Sequence, residues 1–281
     1  MGYTPGRAWT VVAHEVLECE NERASLIRDL NCVDHHPNSS QRRDSVLGCH
    51  ATHILGATWN HLALMTSHQR PRPVPPLRWR FEGEIAAFGT TAGYRIVVGR
   101  WPVSPFGPIS DVMLEAPSGR RLLMAPSEQV GTFIASTYHF DAVEVTTIDV
   151  TRRPGQLAVV AGPLRAELTI GRRGWLGLLL RAVPRPLATA PAWAALVGPV
   201  VRAVLPGVRT CGSAGSGRRE WYGAWDLHPL VAVTAAWQGV DLGTMADVYP
   251  PVRFGFGSTP RHPSIVRLTT TVQLACGELG R

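Results

Sequence analysis

From residue 77 onward the chain alternates. In Val266-Arg-Leu-Thr-Thr-Thr-Val-Gln-Leu274, the residues Val266, Leu268, Thr270, Val272 and Leu274 stand against Arg267, Thr269, Thr271 and Gln273. A two-residue period places successive side chains on opposite faces, which is the mark of a strand with one buried side. The pattern recurs. Leu77, Trp79 and Phe81 alternate with Arg78, Arg80 and Glu82, and Tyr94, Ile96 and Val98 repeat it. Leu164, Ala166, Leu168 and Ile170 form a further stripe, as do Val231, Val233, Ala235 and Trp237. Asp111–Ala116 and Arg121–Ala125 flank Pro117-Ser118-Gly119, a good hairpin turn. Many short alternating strands with Gly/Pro turns predict a mainly β, α+β fold. We expect a curled antiparallel sheet, barrel-like or stacked as a sandwich.

Two segments break the alternation. Ser127 can cap a helix in which Val130, Phe133, Ile134 and Tyr138 share one face. The stretch 174–206 is strongly apolar but divided by Pro184, Pro186, Pro191 and Pro199 and charged by Arg181 and Arg202. It has no uninterrupted apolar run of about 18 residues, so a spanning helix is not expected. It reads as an inserted helical hairpin buried against the sheet. The alternative is an interfacial pair of helices with Arg172, Arg173, Arg181, Arg185 and Arg202 toward lipid headgroups.

Residues 1–76 differ in character. Seven of the ten histidines lie there with poor apolar periodicity, and Gln69–Pro76 reads as a stiff proline-rich linker. Residues 14–30 are compatible with one short helix. The spacings Cys32-x2-His35 and Cys49-x3-His53 resemble pairs seen in zinc sites, but the Cys-His pair types and the lack of a finger core leave no metal assigned. We expect a poorly structured segment, with Met65 or a later codon as an alternative start, ahead of a β-rich domain over 77–281.

Composition excludes several chemistries. All 28 basic residues are arginine. Without lysine there is no Schiff base to substrate or to pyridoxal phosphate, no Walker-type phosphate loop and no kinase strand lysine. No cofactor is expected. Formal charge is +7. Residues 1–76 hold seven arginines and seven acids, so the whole surplus lies beyond them. That surplus favours anionic small molecules or anionic membrane surfaces; recognisable nucleic-acid modules are missing, so no specific nucleic acid is expected. Five scattered cysteines without a CxxC and no signal-peptide pattern predict a cytoplasmic protein, soluble or peripheral to the inner membrane.

The densest polar and aromatic segment is Gly217–Pro229. On a strand, Arg219, Trp221, Gly223 and Trp225 share one face and Glu220, Tyr222 and Ala224 the other, with Asp226 and His228 at the strand end. His228 is a candidate general base oriented by Asp226 or Glu220. Arg218, Arg219, Trp221, Tyr222 and Trp225 are candidate ligand contacts. The plain alternative is aromatic strand packing with a surface His-Pro turn. Arg253-Phe-Gly-Phe-Gly-Ser-Thr-Pro-Arg261 could wrap an anion through backbone amides and its two arginines. It lacks the third glycine and the helix of a dinucleotide site and reads as a tight loop into the final strand. Asp111 and Glu115, about 13 Å apart on one strand, are too distant for a direct glycosidase pair and are expected to be exposed or paired to arginine.

The runs Ser104–Met113, Gly217–Tyr222 and Phe254–Pro260 resemble a family of uncharacterised actinobacterial proteins over about 77–272. The resemblance implies the boundary near residue 77 and a bacterial intracellular setting, and carries no catalytic residue. Two functions follow as expectations. One is a binding protein for a hydrophobic or amphipathic small molecule or lipid, associated with a membrane surface. The other is an enzyme acting on a hydrophobic or anionic substrate through His228, Asp226 and Glu220.

Overall fold

The computed structural model describes residues 77–275. The helix expected over 14–30, the paired Cys-His spacings and the proline linker lie outside them. Strands β1 (Arg78–Thr90), β2 (Arg95–Val103), β3 (Ile109–Glu115) and β4 (Arg121–Ala125) form an antiparallel meander. Helix α1 (Glu128–Thr137) then crosses to β5 (Ala142–Val145), which runs parallel to β4. A second meander follows: β6 (Ile148–Arg153), β7 (Gln156–Ala161) and β8 (Leu164–Ile170). Three helices come next, α2 (Trp175–Ala182), α3 (Arg185–Ala188) and α4 (Pro191–Val204). The chain finishes with β9 (Cys211–Ser213), β10 (Arg219–Trp237), β11 (Val240–Asp241), β12 (Met245–Ala246) and β13 (Ser264–Gln273).

These strands make one curled, largely antiparallel sheet in the order β5-β4-β3-β2-β1-β13-β10-β8-β7-β6. The long strand β10 joins its halves. Residues Arg219–Pro229 pair with β13, and Leu230–Trp237 pair with β8. Within the first part the register slips: Ala224 opposes Leu268, whereas Asp226 opposes Arg267. Two steps on β10 match one on β13, a bulge with Trp225 as the extra residue. Side chains before and after it therefore alternate in opposite phase.

The curl encloses one large apolar core. Phe88, Ile96, Val98, Leu114 and Met124 from the first half meet Leu157, Val159, Leu164 and Leu168 from the second. The other face of β1–β4 is also covered. Ala87, Val97, Val248, Val252 and Phe254 pack there under the loop after β12, while Leu123 and Ala125 receive Val130 and Ile134 of α1. Burial on both faces explains why β13 is buried at nearly every position although its sequence alternates. The Val231 stripe is corrected: a register irregularity between Leu230 and Ala232 leaves Val231 exposed and turns Leu230 and Val233 inward.

The two helical regions form as their sequences direct, with different results. Ser127 caps α1, accepting a hydrogen bond from the Val130 amide. The stretch 174–206 becomes three helices rather than a hairpin, because Pro186 and Pro191 each open a new one. This layer lies on the face of β10 that carries Trp221 and Gly223. A Cβ at Gly223 would come within 2.6 Å of the Ala188 carbonyl oxygen, and one at Gly177 would strike the Leu227 carbonyl. Those two glycines set how closely helix and strand approach. The expectation that the apolar side chains of 174–206 are buried against the sheet does not hold: Trp175, Leu178, Leu179, Leu196 and Val200 face outward.

Candidate functional site

A cavity of about 70 Å³ opens between α1 and the sheet face beneath it. It is large enough for several waters or a small organic group. Its walls are mostly apolar, from Phe81, Ile85, Trp101, Met113, Phe133 and Val272. Five polar side chains break this lining: Asp111, Tyr138, Glu220, Tyr222 and Thr270. Strand register delivers most of them. Tyr222 and Phe81 both oppose Thr270, and Glu220 opposes Val272, so these strand residues point to the same side. Tyr138 arrives from the opposite direction, as the C-cap of α1.

Glu220 is the centre of the site. Its Oε2 accepts hydrogen bonds from the hydroxyls of Tyr138 at 2.8 Å and Tyr222 at 2.9 Å, and those hydroxyls lie 2.8 Å from each other. Burial pushes the Glu220 carboxyl up to about 7, against the opposing pull of the two hydroxyls and of Arg218. Burial and the neighbouring carboxylate hold both tyrosines well above the usual phenol range, so they stay protonated donors. Asp111 is the second acid. Its Oδ1 accepts from Trp101 Nε1 at 2.9 Å, and burial raises it to about 6 despite that bond. Gly99 makes this pair feasible, since a Cβ there would lie 2.6 Å from the indole nitrogen and against Asp111 Oδ1. The Thr270 hydroxyl, buried on the cavity wall, has no partner. Buried polar groups in folded proteins are nearly always paired. Here the unpaired Thr270 hydroxyl shares one void with two buried acids, an arrangement suited to a neutral molecule with at least one hydrogen-bonding oxygen.

The sequence candidates divide between this site and other roles. Glu220 and Tyr222 line the cavity. Asp226 and His228 do not, because the bulge at Trp225 turns them to the opposite face. They also lie within β10 rather than at its end. There Asp226 binds Arg173 through two hydrogen bonds of 2.7 and 3.0 Å, with His228 Nε2 at 3.5 Å. Burial alone would raise Asp226, but Arg173, hydrogen-bonded to it, holds it below the usual carboxylate range. His228 Nδ1 contacts the Gly171 carbonyl. The three residues expected to share acid-base work therefore do not meet in one cleft.

The other candidates do not line this cavity and make contacts elsewhere. Arg218 binds the Phe133 carbonyl and the Ser136 and Thr137 hydroxyls, capping the end of α1. Arg219 lies over Trp221 at 5.4 Å, and Trp225 carries the Arg185 guanidinium at 4.2 Å. Arg253 bonds Glu115, and Arg261 bonds Asp247. Asp111 and Glu115, expected to be exposed or arginine-paired, are both buried; Glu115 is paired, to Arg95 and Arg253, and Asp111 is held by Trp101. Sequence reasoning missed Asp111, Tyr138 and Thr270 as site residues. Tyr138 alone left a signal, ending the apolar face of α1 with a polar tip. Among the described residues no group of His, Cys, Asp and Glu converges to hold a metal ion.

Comparison with protein-family models and with curated proteins gives no match. Among solved structures the chain is similar to an acetoacetate decarboxylase from Legionella pneumophila, at 10% identity and a TM-score of 0.35. That alignment covers 78% of this chain and 96% of the other. It is also similar to an AttH candidate from Nitrosomonas europaea, at 13% identity and a TM-score of 0.25. Here 72% of this chain aligns with 53% of the other, so the chain spans about half of that protein.

Proposed function

We propose that the protein binds a small hydrophobic or amphipathic molecule in the cavity beneath α1, at a membrane surface from which such a ligand partitions. The observation that carries this reading is an otherwise apolar void with two buried acids, Glu220 and Asp111, and the unpartnered Thr270 hydroxyl on its wall. Apolar walls supply most of the affinity of such a site, and a few placed polar groups fix orientation. A neutral Glu220 and the unpartnered Thr270 hydroxyl can donate hydrogen bonds, so the ligand presents an acceptor oxygen to them. A charged ligand would forfeit its hydration in this lining.

Cyclohexanone is a suitable probe. Its titration should shift the Trp101 indole resonance in NMR spectra, because that N–H sits on the cavity wall and reports through Asp111. Thr270→Val keeps the shape and removes the hydroxyl, and is expected to weaken binding about tenfold. An unmoved Trp101 resonance at millimolar cyclohexanone would sink the reading.

A second reading is supported by the two acids on one cavity. Paired groups whose surroundings set their protonation near neutrality are suited to general acid-base work. Proton exchange from D2O into cyclohexanone, abolished in Glu220→Gln and Asp111→Asn, is its measurement. Binding without exchange would leave the first reading alone. Imine chemistry is closed in either case, since the chain has no lysine.

A further inference from the structure

The α2–α4 layer is amphipathic in the wrong direction for a helix packed on a core. A surface helix normally turns its apolar stripe inward. In α2, Trp175, Leu178 and Leu179 follow the i, i+3, i+4 spacing of a single stripe. In α4, Leu196 and Val200 do the same, with Val204 one turn on. Trp175, Leu178, Leu179, Leu196 and Val200 are each 57–68% exposed. What touches the sheet is instead small: Gly177, Ala188 and Ala194 are the buried residues of the three helices. Leu187 of α3 is exposed as well. Apolar side chains grouped on adjacent helices, with small residues beneath them, mark a surface that meets another apolar phase.

Charge identifies that phase. Between Glu167 and Glu220 the chain holds eight arginines and no acidic residue. Arg172, Arg181 and Arg185, which flank or lie within the layer, are exposed. The layer thus combines apolar anchors with cations of one sign. A second copy of the chain would bring like charge to like charge. Residues 1–76 hold equal numbers of arginines and acids, so as a whole they bring no net negative charge to the layer. An anionic lipid leaflet satisfies both properties at once. No helix among the described residues is long and apolar enough to cross a membrane, and the α2–α4 layer is built of three short helices, so the contact is one of lying on the surface.

We infer that α2–α4 is a docking surface for an anionic membrane leaflet, with Trp175, Leu178, Leu179, Leu196 and Val200 inserted at the headgroup level and Arg172 and Arg181 against the lipid charge. The inference rests on the proposed function only for the membrane as ligand source. Its surface lies across the sheet from the cavity, so the two can fail separately.

The test is co-flotation of the full chain with vesicles. One set is phosphatidylcholine alone; the other contains about a third phosphatidylglycerol. Each arginine near an anionic surface contributes about fivefold to partition. Binding should therefore favour the anionic vesicles by tenfold or more at low salt, and fall steeply as salt shortens the screening length to about 3 Å near 1 M. Leu178→Ser with Leu196→Ser should reduce binding about tenfold, and Arg172→Gln with Arg181→Gln should abolish the preference for anionic vesicles. Both pairs should keep the thermal midpoint and the cyclohexanone shift at Trp101. Equal recovery with both vesicle types overturns the inference. So does a concentration-dependent dimer lost in the leucine pair, which would assign the surface to a second copy. If docking holds while millimolar cyclohexanone leaves the Trp101 resonance unmoved, the surface stands and the cavity reading falls.

Discussion

Helix α1 and the α2–α4 layer cover opposite sides of the same sheet, and they use their apolar residues oppositely. In α1, Val130 and Ile134 point down onto Leu123 and Ala125, Ser127 closes the first turn, and Arg218 closes the last. In α2 and α4, glycine and alanine point down, leucine and tryptophan point out, and neither N-cap residue makes a side-chain hydrogen bond. Both regions are apolar in sequence. The difference teaches that hydrophobicity decides that a helix will seek a nonaqueous contact, while the size of its inward residues decides where. Small residues permit a close, flat seat on the strand and leave the large ones for another partner. Large inward residues fill a core and, in α1, leave one gap at the Tyr138 end, which is the cavity.

The largest expected contrast comes from placing one charge on each helix. Ile134→Asp buries a carboxylate in the α1 core and should cost about 4 kcal/mol or more in chemical denaturation. If it were tolerated, α1 would be no more committed to the core than α4.

Next in size is a pH effect confined to the α1 side. The folded state binds the Glu220 proton more tightly than the unfolded chain does, with values of about 7 and 4.5. Below pH 4.5 both states are protonated and this contribution is fully present; as pH rises through 7 it is lost. The native chain should therefore lose about 3 kcal/mol relative to Glu220→Gln between these limits. Parallel stability curves for the two proteins would show that Glu220 is already ionised in its pocket.

A smaller difference should appear at the helix starts. Ser127→Ala is expected to cost about 1 kcal/mol, whereas Ala190→Ser at the N-cap of α4 should gain a few tenths to about 1 kcal/mol. Equal effects of both sign and size at the two caps would erase the contrast. The smallest effect belongs to Leu196→Asp, which should change stability by no more than about 0.5 kcal/mol, because the side chain already faces out. A loss of several kcal/mol there would mean that the outward face of α4 is covered in the folded chain.

The fold was far more legible in the sequence than the site. Alternation is a local signal, so β1, β8 and β13 could be read from a few residues each, and Ser127 marked α1 in the same way. The inserted segment was recognised, but its orientation was not, since glycine or alanine facing the strand carries no periodic mark. The site depends on distant partners: Tyr138 and Glu220 meet across 82 positions, and Asp111 joins them only through the β2–β3 pairing. Glu220, a candidate from the sequence, lines the cavity, while the neighbours expected for it, Asp226 and His228, lie on the other face. The bulge that parts it from Asp226 and His228 has no signature in the sequence, because an extra residue on a strand looks like any other.

That bulge also shapes how the protein can change over generations. A substitution between Arg219 and Ala224 is felt by the cavity or by the helices across from it. A substitution between Leu230 and Trp237 is felt by the enclosed core. The one kind of mutation that speaks to both is a change of length. Deleting Trp225 would restore simple alternation and exchange inside for outside along one half of the strand. Lineages of this protein should therefore keep the count of β10 more strictly than its letters, Gly223 apart, with a gap at this point accepted only when a second, compensating insertion follows before Leu230.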